Sequence, residues 1–477
     1  MLEKTNFYID GHWRAPLHKK NLEIIDPSTE DVCGIISLGS DEDVDLAVEA
    51  AKRAFPGWSM TPAHERLAYM EKILNLYKLH FEDMAQTICM EMGAPIDMAR
   101  CQQAAAGQTH IETFIEIFKT FEFERPLSTR DPGSRLFLQP IGVVALITPW
   151  NWPMNQVTLK VIPAILAGCT MVLKPSEIAP LSSMLFAEIL EEAHLPAGVF
   201  NLVNGDGATV GPRLSGHPDV DMISFTGSTR AGRAISKNAA DTLKRVCLEL
   251  GGKGANIIFA DCDKDAVKRG VLHVMNNSGQ SCNAPTRMFV ERSLYEKAVN
   301  DACIAAEKTS VASAHQPGDH IGPVVSKVQY DKIQDLIQSG IDEGGVLLSG
   351  GPGQPARLSR GYFVNPTVFA DVRPDMRIFR EEIFGPVLSI IPFDSENDVI
   401  AMANDTHYGL TNYVQSQDMK RCLRIAKQVR SGMVEVNGIP LPKTSFFGGI
   451  RASGRAREGG IWGIEEFLET KAISSFK

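Results

Sequence analysis

The sequence lacks a spacing that would make its cysteines a framework. The nine of them, at positions 33, 89, 101, 169, 247, 262, 282, 303 and 422, form no CxxC pair and are odd in number. That suits free thiols in a reducing compartment better than a disulfide framework or a zinc site, so no metal is expected and the expected location is the cytoplasm. No basic cluster is present either, and the formal net charge is −9. Nucleic acid and an anionic membrane surface are thereby excluded as main partners. Long apolar runs are missing too. The longest uncharged window, residues 136–159, is broken by Pro140, Pro149, Asn151, Pro153, Asn155 and Gln156, which a spanning helix would tolerate poorly, and the first residues, MLEKTNFYIDGHW, lack the apolar core of a secretion signal. There is no internal repeat or low-complexity tract.

What is there is 477 residues of ordinary globular composition, 44% hydrophobic and 22% charged, with 40 glycines and 27 prolines spread along the length. That length exceeds what one core supports, so at least two domains are expected. Asp10-Gly11 marks a hairpin between short strands. Ser40 opens a helix with Asp41, Glu42 and Asp43 in its first turn, ended by Pro56-Gly57. Thr61-Pro62 opens the next, and Gly93-Ala94-Pro95 separates two more that run to Phe121. Residues 123–140 read as a β-ribbon turning at Asp131-Pro132-Gly133, a surface hairpin or an assembly strand.

From residue 142 the pattern becomes β/α. Nearly continuous apolar strands at 142–148, 170–174, 199–203, 222–225 and 246–250 alternate with helices at 156–167 and 181–193, which indicates a parallel sheet covered on both faces. After Gly251-Gly252 the alternation restarts with a strand at 256–259, a helix at 264–277 and a strand at 287–291, and continues to about Gly438. The tail from residue 465 to 477 has strand character and is a second candidate for assembly.

Several segments carry candidate chemistry. Glu249 ends a strand beside Gly-Gly, on the same side as Cys247, where a carboxylate needs a polar cavity. Cys282 sits in the small, polar setting GQSCNAP, where a loop thiol near backbone donors can act as a nucleophile if its thiolate is favoured. TPWNWP follows a buried strand and stiffens the Asn151 amide as a donor for a developing oxyanion, against the alternative of an aromatic packing loop. In FTGSTRAG, Gly227 and Ser228 face a helix start that can hold an anion, or Ser228 is simply a cap. In LKPSE, Lys174 and Glu177 end a strand where ribose hydroxyls can bind; a glutamate there repels a 2′-phosphate, which favours NAD over NADP. GDGATVG, by contrast, reads as a βα turn whose glycines serve geometry, because its last glycine is one position late for a dinucleotide fingerprint.

Together TPWNWP, LKPSE, FTGSTRAG, LELGGK, GQSC, GYFVNPTVF, EEIFGPV, NDTHYGL and FFGGIRASG resemble the aldehyde dehydrogenase superfamily across almost the whole chain. The resemblance implies an α/β protein with a Rossmann-like cofactor domain (1–121 and 141–250), an α/β catalytic domain (251–450) and a small β-ribbon and tail (122–140 and 461–477) that joins subunits into a homodimer or homotetramer. It implies Cys282 as nucleophile, Glu249 as general base and Asn151 with the Cys282 N–H as oxyanion site. It places NAD against Thr148, Pro149, Trp150, Lys174, Ser176, Glu177, Gly207, Phe225, Gly227, Ser228, Gly251, Glu382 and Phe384. The implied reaction is oxidation of an aldehyde to a carboxylic acid through a cysteine thiohemiacetal and thioester, Glu249 favouring hydrolysis over transfer to coenzyme A. The aldehyde channel falls on Trp152, Gln156, Ser281, Asn283 and Phe447, with Asn276, Ile439 and Leu441 nearby. That mixture suits a small to medium polar aldehyde or a semialdehyde, with Lys443 a candidate partner for a distal carboxylate or else a solvated loop lysine.

Overall fold

Two seven-stranded sheets, each mostly parallel, organise the chain. The structure is a computed structural model and describes residues 1–474, without the side chains at positions 131 and 132; tail residues 475–477 lie outside the described residues. The first sheet has the order Arg245–Glu249, Met222–Thr226, Val143–Ile147, Thr170–Lys174, Phe200–Leu202, with the hairpin Phe7–Ile9 and His12–Arg14 added antiparallel at one edge. Every residue of its three central strands is buried, as uniform apolar runs require when helices cover both faces. The order grows from Val143–Ile147 in one direction and then, from Met222–Thr226, in the other. The crevice beyond the carboxyl ends of these two strands is therefore the switch point at which open sheets of this kind bind ligands.

The second sheet runs Val346–Ser349, Thr367–Ala370, Val387–Phe393, Arg287–Glu291, Ala255–Ile258, Thr411–Gln415, Met433–Val436, parallel except for the first pair. Separate apolar clusters fill its two faces. A third sheet pairs Glu124–Ser128, Asp131–Pro140 and Leu468–Ile473. The ribbon and tail thus meet within one chain, and all five residues of Glu124–Ser128 are exposed.

Several boundaries differ from expectation, four of them with a bearing on the fold. The helix Asp41–Trp58 continues past Pro56-Gly57, because the Ser59 N–H still reaches the Phe55 carbonyl at 2.9 Å and Trp58 is buried. The ribbon turns at Thr129-Arg130, two residues early: Ser128 pairs with Asp131, and the Arg130 N–H donates to Ser128 Oγ at 3.1 Å. The tail begins as the helix Gly460–Glu465 before its strand. The helix expected to reach residue 277 stops at Met275, for a reason that belongs to the site.

Candidate active site

After Met275 the chain breaks its helix with Asn277 and Ser278 at φ 52° and 55° and Gly279 at 74°. Only glycine fits the last of these, since a Cβ there would lie 2.0 Å from the Gly385 carbonyl oxygen. The turn is pinned by Ser278 Oγ donating to the Gly322 carbonyl at 2.7 Å and by Gln280 Oε1 accepting from the Val325 N–H at 2.9 Å. It delivers Cys282 against the Gly251-Gly252 turn so closely that a Cβ on Gly252 would sit 2.2 Å from the Cys282 carbonyl oxygen.

Asn151 is fixed by the same turn. Its backbone carbonyl accepts from Asn277 Nδ2 at 2.9 Å and Gln103 Nε2 at 3.2 Å, and its Nδ2 donates to the Gln280 carbonyl at 3.0 Å. An amide nitrogen has two N–H groups, so one remains to aim at a ligand. Among the described residues the Cys282 N–H has no backbone carbonyl partner. Two donors are therefore held in place beside the thiol.

Glu249 is 2% exposed, and among the described residues no side chain hydrogen-bonds either of its carboxylate oxygens; the Gly449 N–H is the one backbone donor that acts on it. Burial pushes its pKa well above the ordinary carboxylate value; nearby Glu458 adds to this, while Lys160 and Arg457 oppose it. Behind it lies a buried ion pair between Lys160 and Glu458, with Lys160 Nζ also donating to Thr226 Oγ1 at 2.8 Å. The Cys282 thiol is raised as well, by burial first and then by the carboxylates of Glu249 and Glu382. These surroundings hold the resting side chain as a thiol, not the favoured thiolate that a nucleophile in this loop called for.

Two cavities meet at Cys282. One, of about 210 Å³, is lined by Pro149, Trp150, Asn151, Gly227, Ser228, Gly251, Glu382 and Phe384 among the predicted cofactor and oxyanion positions. The Trp150 ring meets Phe384 edge-on at 5.5 Å, and Glu382 Oε1 accepts from the Gly252 N–H at 2.8 Å. The other, of about 310 Å³, is lined by Trp152, Gln156, Asn283 and Phe447 among the predicted channel positions.

Other predicted residues lie behind these walls. Thr148 is buried, its N–H donating to the Lys174 carbonyl at 3.1 Å. Lys174 Nζ donates to the Pro175 carbonyl at 2.9 Å and to Glu177 Oε2 at 3.3 Å, and Ser176 Oγ accepts from the Ile178 N–H at 3.3 Å. Phe225 packs beneath Gly227, and Ser281 Oγ accepts from Trp152 Nε1 at 2.9 Å. Gly207 is exposed on a loop and lines neither cavity. Asn276 turns away and donates to Gln102 Oε1 at 3.0 Å, in a separate cleft, and Ile439 is 71% exposed.

The family model described as "Aldehyde dehydrogenase family" matches residues 13–473. The chain belongs to the aldehyde dehydrogenase family. It is 49% identical, over the whole of both chains, to a 3-succinoylsemialdehyde-pyridine dehydrogenase of a Pseudomonas species. It superposes on a crystal structure of an aldehyde dehydrogenase from Bartonella henselae with a TM-score of 0.99 at 67% identity, covering all of both chains. A cysteine-to-alanine mutant of aldehyde dehydrogenase C from Pseudomonas syringae, solved with NAD+ and octanal, matches with a TM-score of 0.97 at 45% identity, over 99% of this chain and 97% of that one.

Sequence reasoning missed several residues that build this candidate site. Gln329 Nε2 donates to the Phe384 carbonyl at 2.9 Å, and Lys332 Nζ to the Glu382 carbonyl at 2.9 Å. Both come from the helix Lys327–Asp342 and fix the EEIFGP turn, where Phe384 has φ 60°, yet a Gln and a Lys one turn apart look like any solvated helix face. Lys160 was findable, as the lone charge in the otherwise uncharged, almost wholly buried helix Pro153–Ala167. His110 and Glu435, which line the second cavity, carry no motif at all. Among the described residues no cluster of His, Cys, Asp or Glu could hold a metal ion, and no helix is long and apolar enough to cross a membrane.

Proposed function

We propose that the enzyme oxidises an aldehyde to a carboxylic acid with NAD, by way of a covalent adduct on Cys282. The observation that carries this is the position of Cys282 in the walls of both cavities, so that one atom can face a hydride acceptor on one side and an aldehyde on the other.

The cofactor-side residues fit a dinucleotide. Ser228 caps the eleven-residue helix Thr229–Ala239, accepting from the Ala231 N–H, so the positive end of that helix opens on the cavity at the switch point and suits a diphosphate. Gly251 faces Glu382 so closely that a Cβ would lie 2.4 Å from its Oε2, which keeps the wall beside the nicotinamide positions open. Lys174 and Glu177 would take the adenosine ribose, and the Glu177 carboxylate, 31% exposed, would stand against a 2′-phosphate, which favours NAD over NADP. When bound, the oxidised nicotinamide supplies the acceptor that takes a hydride.

The chain's own residues do the rest. Cys282 Sγ attacks the carbonyl carbon as its proton passes to the Glu249 carboxylate through water. The oxyanion accepts from the free Asn151 N–H and the Cys282 N–H. After hydride loss the adduct is a thioester. Glu249 releases the thiol's proton to solvent, then removes a proton from the water that attacks the thioester and passes it to the departing Cys282 sulfur, which restores the thiol and the carboxylate.

The mixed polar lining of the aldehyde cavity supports a small to medium polar aldehyde. The name of the Pseudomonas relative joins a semialdehyde to a pyridine, a substrate of that kind. The strands of the first sheet fall within 7–249 and those of the second within 255–436, which supports a cofactor domain of 1–121 and 141–250 and a catalytic domain of 251–450. The exposed ribbon strand supports joining of subunits as a homodimer or homotetramer, and nine free thiols support a cytoplasmic location. The test is NADH formation on adding aldehyde. The wild-type chain forms it and the Cys282→Ala variant does not; full activity in the variant would sink the reading.

A further inference from the structure

The aldehyde-side cavity holds four ionisable side chains besides the thiol, and three of them are accounted for. Glu458 is paired with Lys160. His110 shares a hydrogen bond of 2.8 Å with Asn155 Oδ1, and burial lowers its pKa, which keeps it neutral. Lys443 is exposed on the rim, and the groups that feel its charge are His110 and Glu112, both on the helix Ala105–Phe118.

The fourth is Glu435. It lies half-buried on the strand Met433–Val436, in register with Tyr413 of the neighbouring strand. The Tyr413 hydroxyl donates to the Asn283 carbonyl at 2.9 Å, so Glu435 is one side chain away from the loop that holds the nucleophile. Among the described residues no Lys, Arg or His pairs with Glu435. Its surroundings offer one opposing influence, the Leu441 N–H, against a burial that pushes its pKa up. A half-buried carboxylate without a cation is costly unless something brings one.

We propose that Glu435 selects the substrate, favouring an aldehyde whose far end carries a cationic nitrogen, such as an aminoaldehyde. The inference rests on the dehydrogenase reading and reverses the sign expected from Lys443: the charge inside the cavity is negative, and the positive one is on the rim. An anionic semialdehyde would have to pass the lysine and then face the carboxylate.

The experiment compares kcat/KM for β-aminopropionaldehyde, butyraldehyde and succinic semialdehyde, which are cationic, neutral and anionic at similar length. The wild-type enzyme is expected to rank them in that order, spanning about tenfold or more, the size of one partly screened charge pair. Glu435→Gln should narrow the ratio of cationic to neutral substrate by about tenfold, and Glu435→Lys should invert the ranking. A wild-type preference for succinic semialdehyde, or ratios that do not respond to either substitution, overturns the proposal. A binding arm separates this from the dehydrogenase reading. If no aldehyde yields NADH, that reading fails. Calorimetry on Cys282→Ala with the γ-amino alcohol and γ-hydroxybutyrate then still decides the role of Glu435: tighter amine binding that is lost in the Cys282→Ala, Glu435→Gln double variant supports it, and equal binding overturns it.

Discussion

The two sides of Cys282 are built in different ways. On the proposed cofactor side much of the wall comes from turns at strand ends, Pro149 to Asn151 after one strand and Gly227-Ser228 after the next, with Gln329, Lys332, Glu382 and Phe384 added from later segments. On the aldehyde side it comes from side chains of distant segments, among them His110, Gln156, Glu435 and Phe447. A site made from backbone dictates its residues in contiguous runs, because close approaches such as that of Gly251 to Glu382 leave no room for a Cβ. A site made from side chains leaves each position free to change with the ligand.

The comparison predicts that the shared atom matters most. Cys282→Ala should cost at least about a thousandfold in kcat, as removal of a nucleophile from a concerted set does. NAD binding, measured by calorimetry, should survive because no cofactor-side backbone is touched. Loss of NAD binding along with activity would break the separation between the two walls.

Next come the two groups that serve the adduct. Asn151→Ala should lower kcat by about a hundredfold to a thousandfold, the usual range for one oxyanion donor. Glu249→Gln should cost roughly a hundredfold or more by removing a general base, with a burst of NADH as the thioester accumulates. A steady rate with no burst would show that the step limited by Glu249 precedes hydride transfer. The pH profile sharpens this. Burial and Glu458 raise the Glu249 pKa, so activity should rise with pH along an acid limb lying above the ordinary carboxylate range. Glu458→Gln removes the neighbouring negative charge and frees Lys160 to favour the Glu249 carboxylate, so the limb should move to lower pH. A limb that stays in place would mean another group sets it.

How much could be read in the sequence follows this division only in part, since Gln329 and Lys332 belong to the first cavity and carried no motif. The parallel sheet was legible in runs such as VVALI and TMVLK, and Asn151, Glu249 and Cys282 were legible through the turns that carry them. In GDGATVG the expected cofactor position Gly207 lies on an exposed loop and lines neither cavity. What escaped was set by distance along the chain. Gln329 and Lys332 act on the turn at Glu382 and Phe384 from a helix 55 and 50 residues away, and Glu435 reaches the cavity because its strand lies in register with Tyr413. The state of the thiol also escaped, since it depends on Glu249 and Glu382 brought up from other segments. Local signals pointed to Cys282 as the proposed nucleophile but not to the protonation of its thiol.

The smallest predicted effect lies outside both walls and acts as their control. His315 Nε2 meets Asp26 Oδ2 at 2.5 Å, joining the N-terminal segment to a loop that follows the helix Tyr295–Glu307. The Asp26 side chain, with help from Cys89, raises the His315 pKa from its usual 6.5 to about 10. A base whose folded pKa is raised contributes stability that is fully present below its unfolded value and is lost as pH rises through the folded one. The contribution of this pair should therefore be whole below about pH 6.5 and fade toward pH 10. Because the His315 side chain is 43% exposed and screened by water, it is worth about 1 kcal/mol or less. Urea midpoints of the wild type and His315→Gln should accordingly differ slightly at about pH 6 and converge at about pH 10. The KM values for NAD and for aldehyde should stay unchanged, since His315 touches neither cavity. A shift in either KM would mean that the two walls are coupled through this junction and do not behave as independent surfaces meeting at one sulfur.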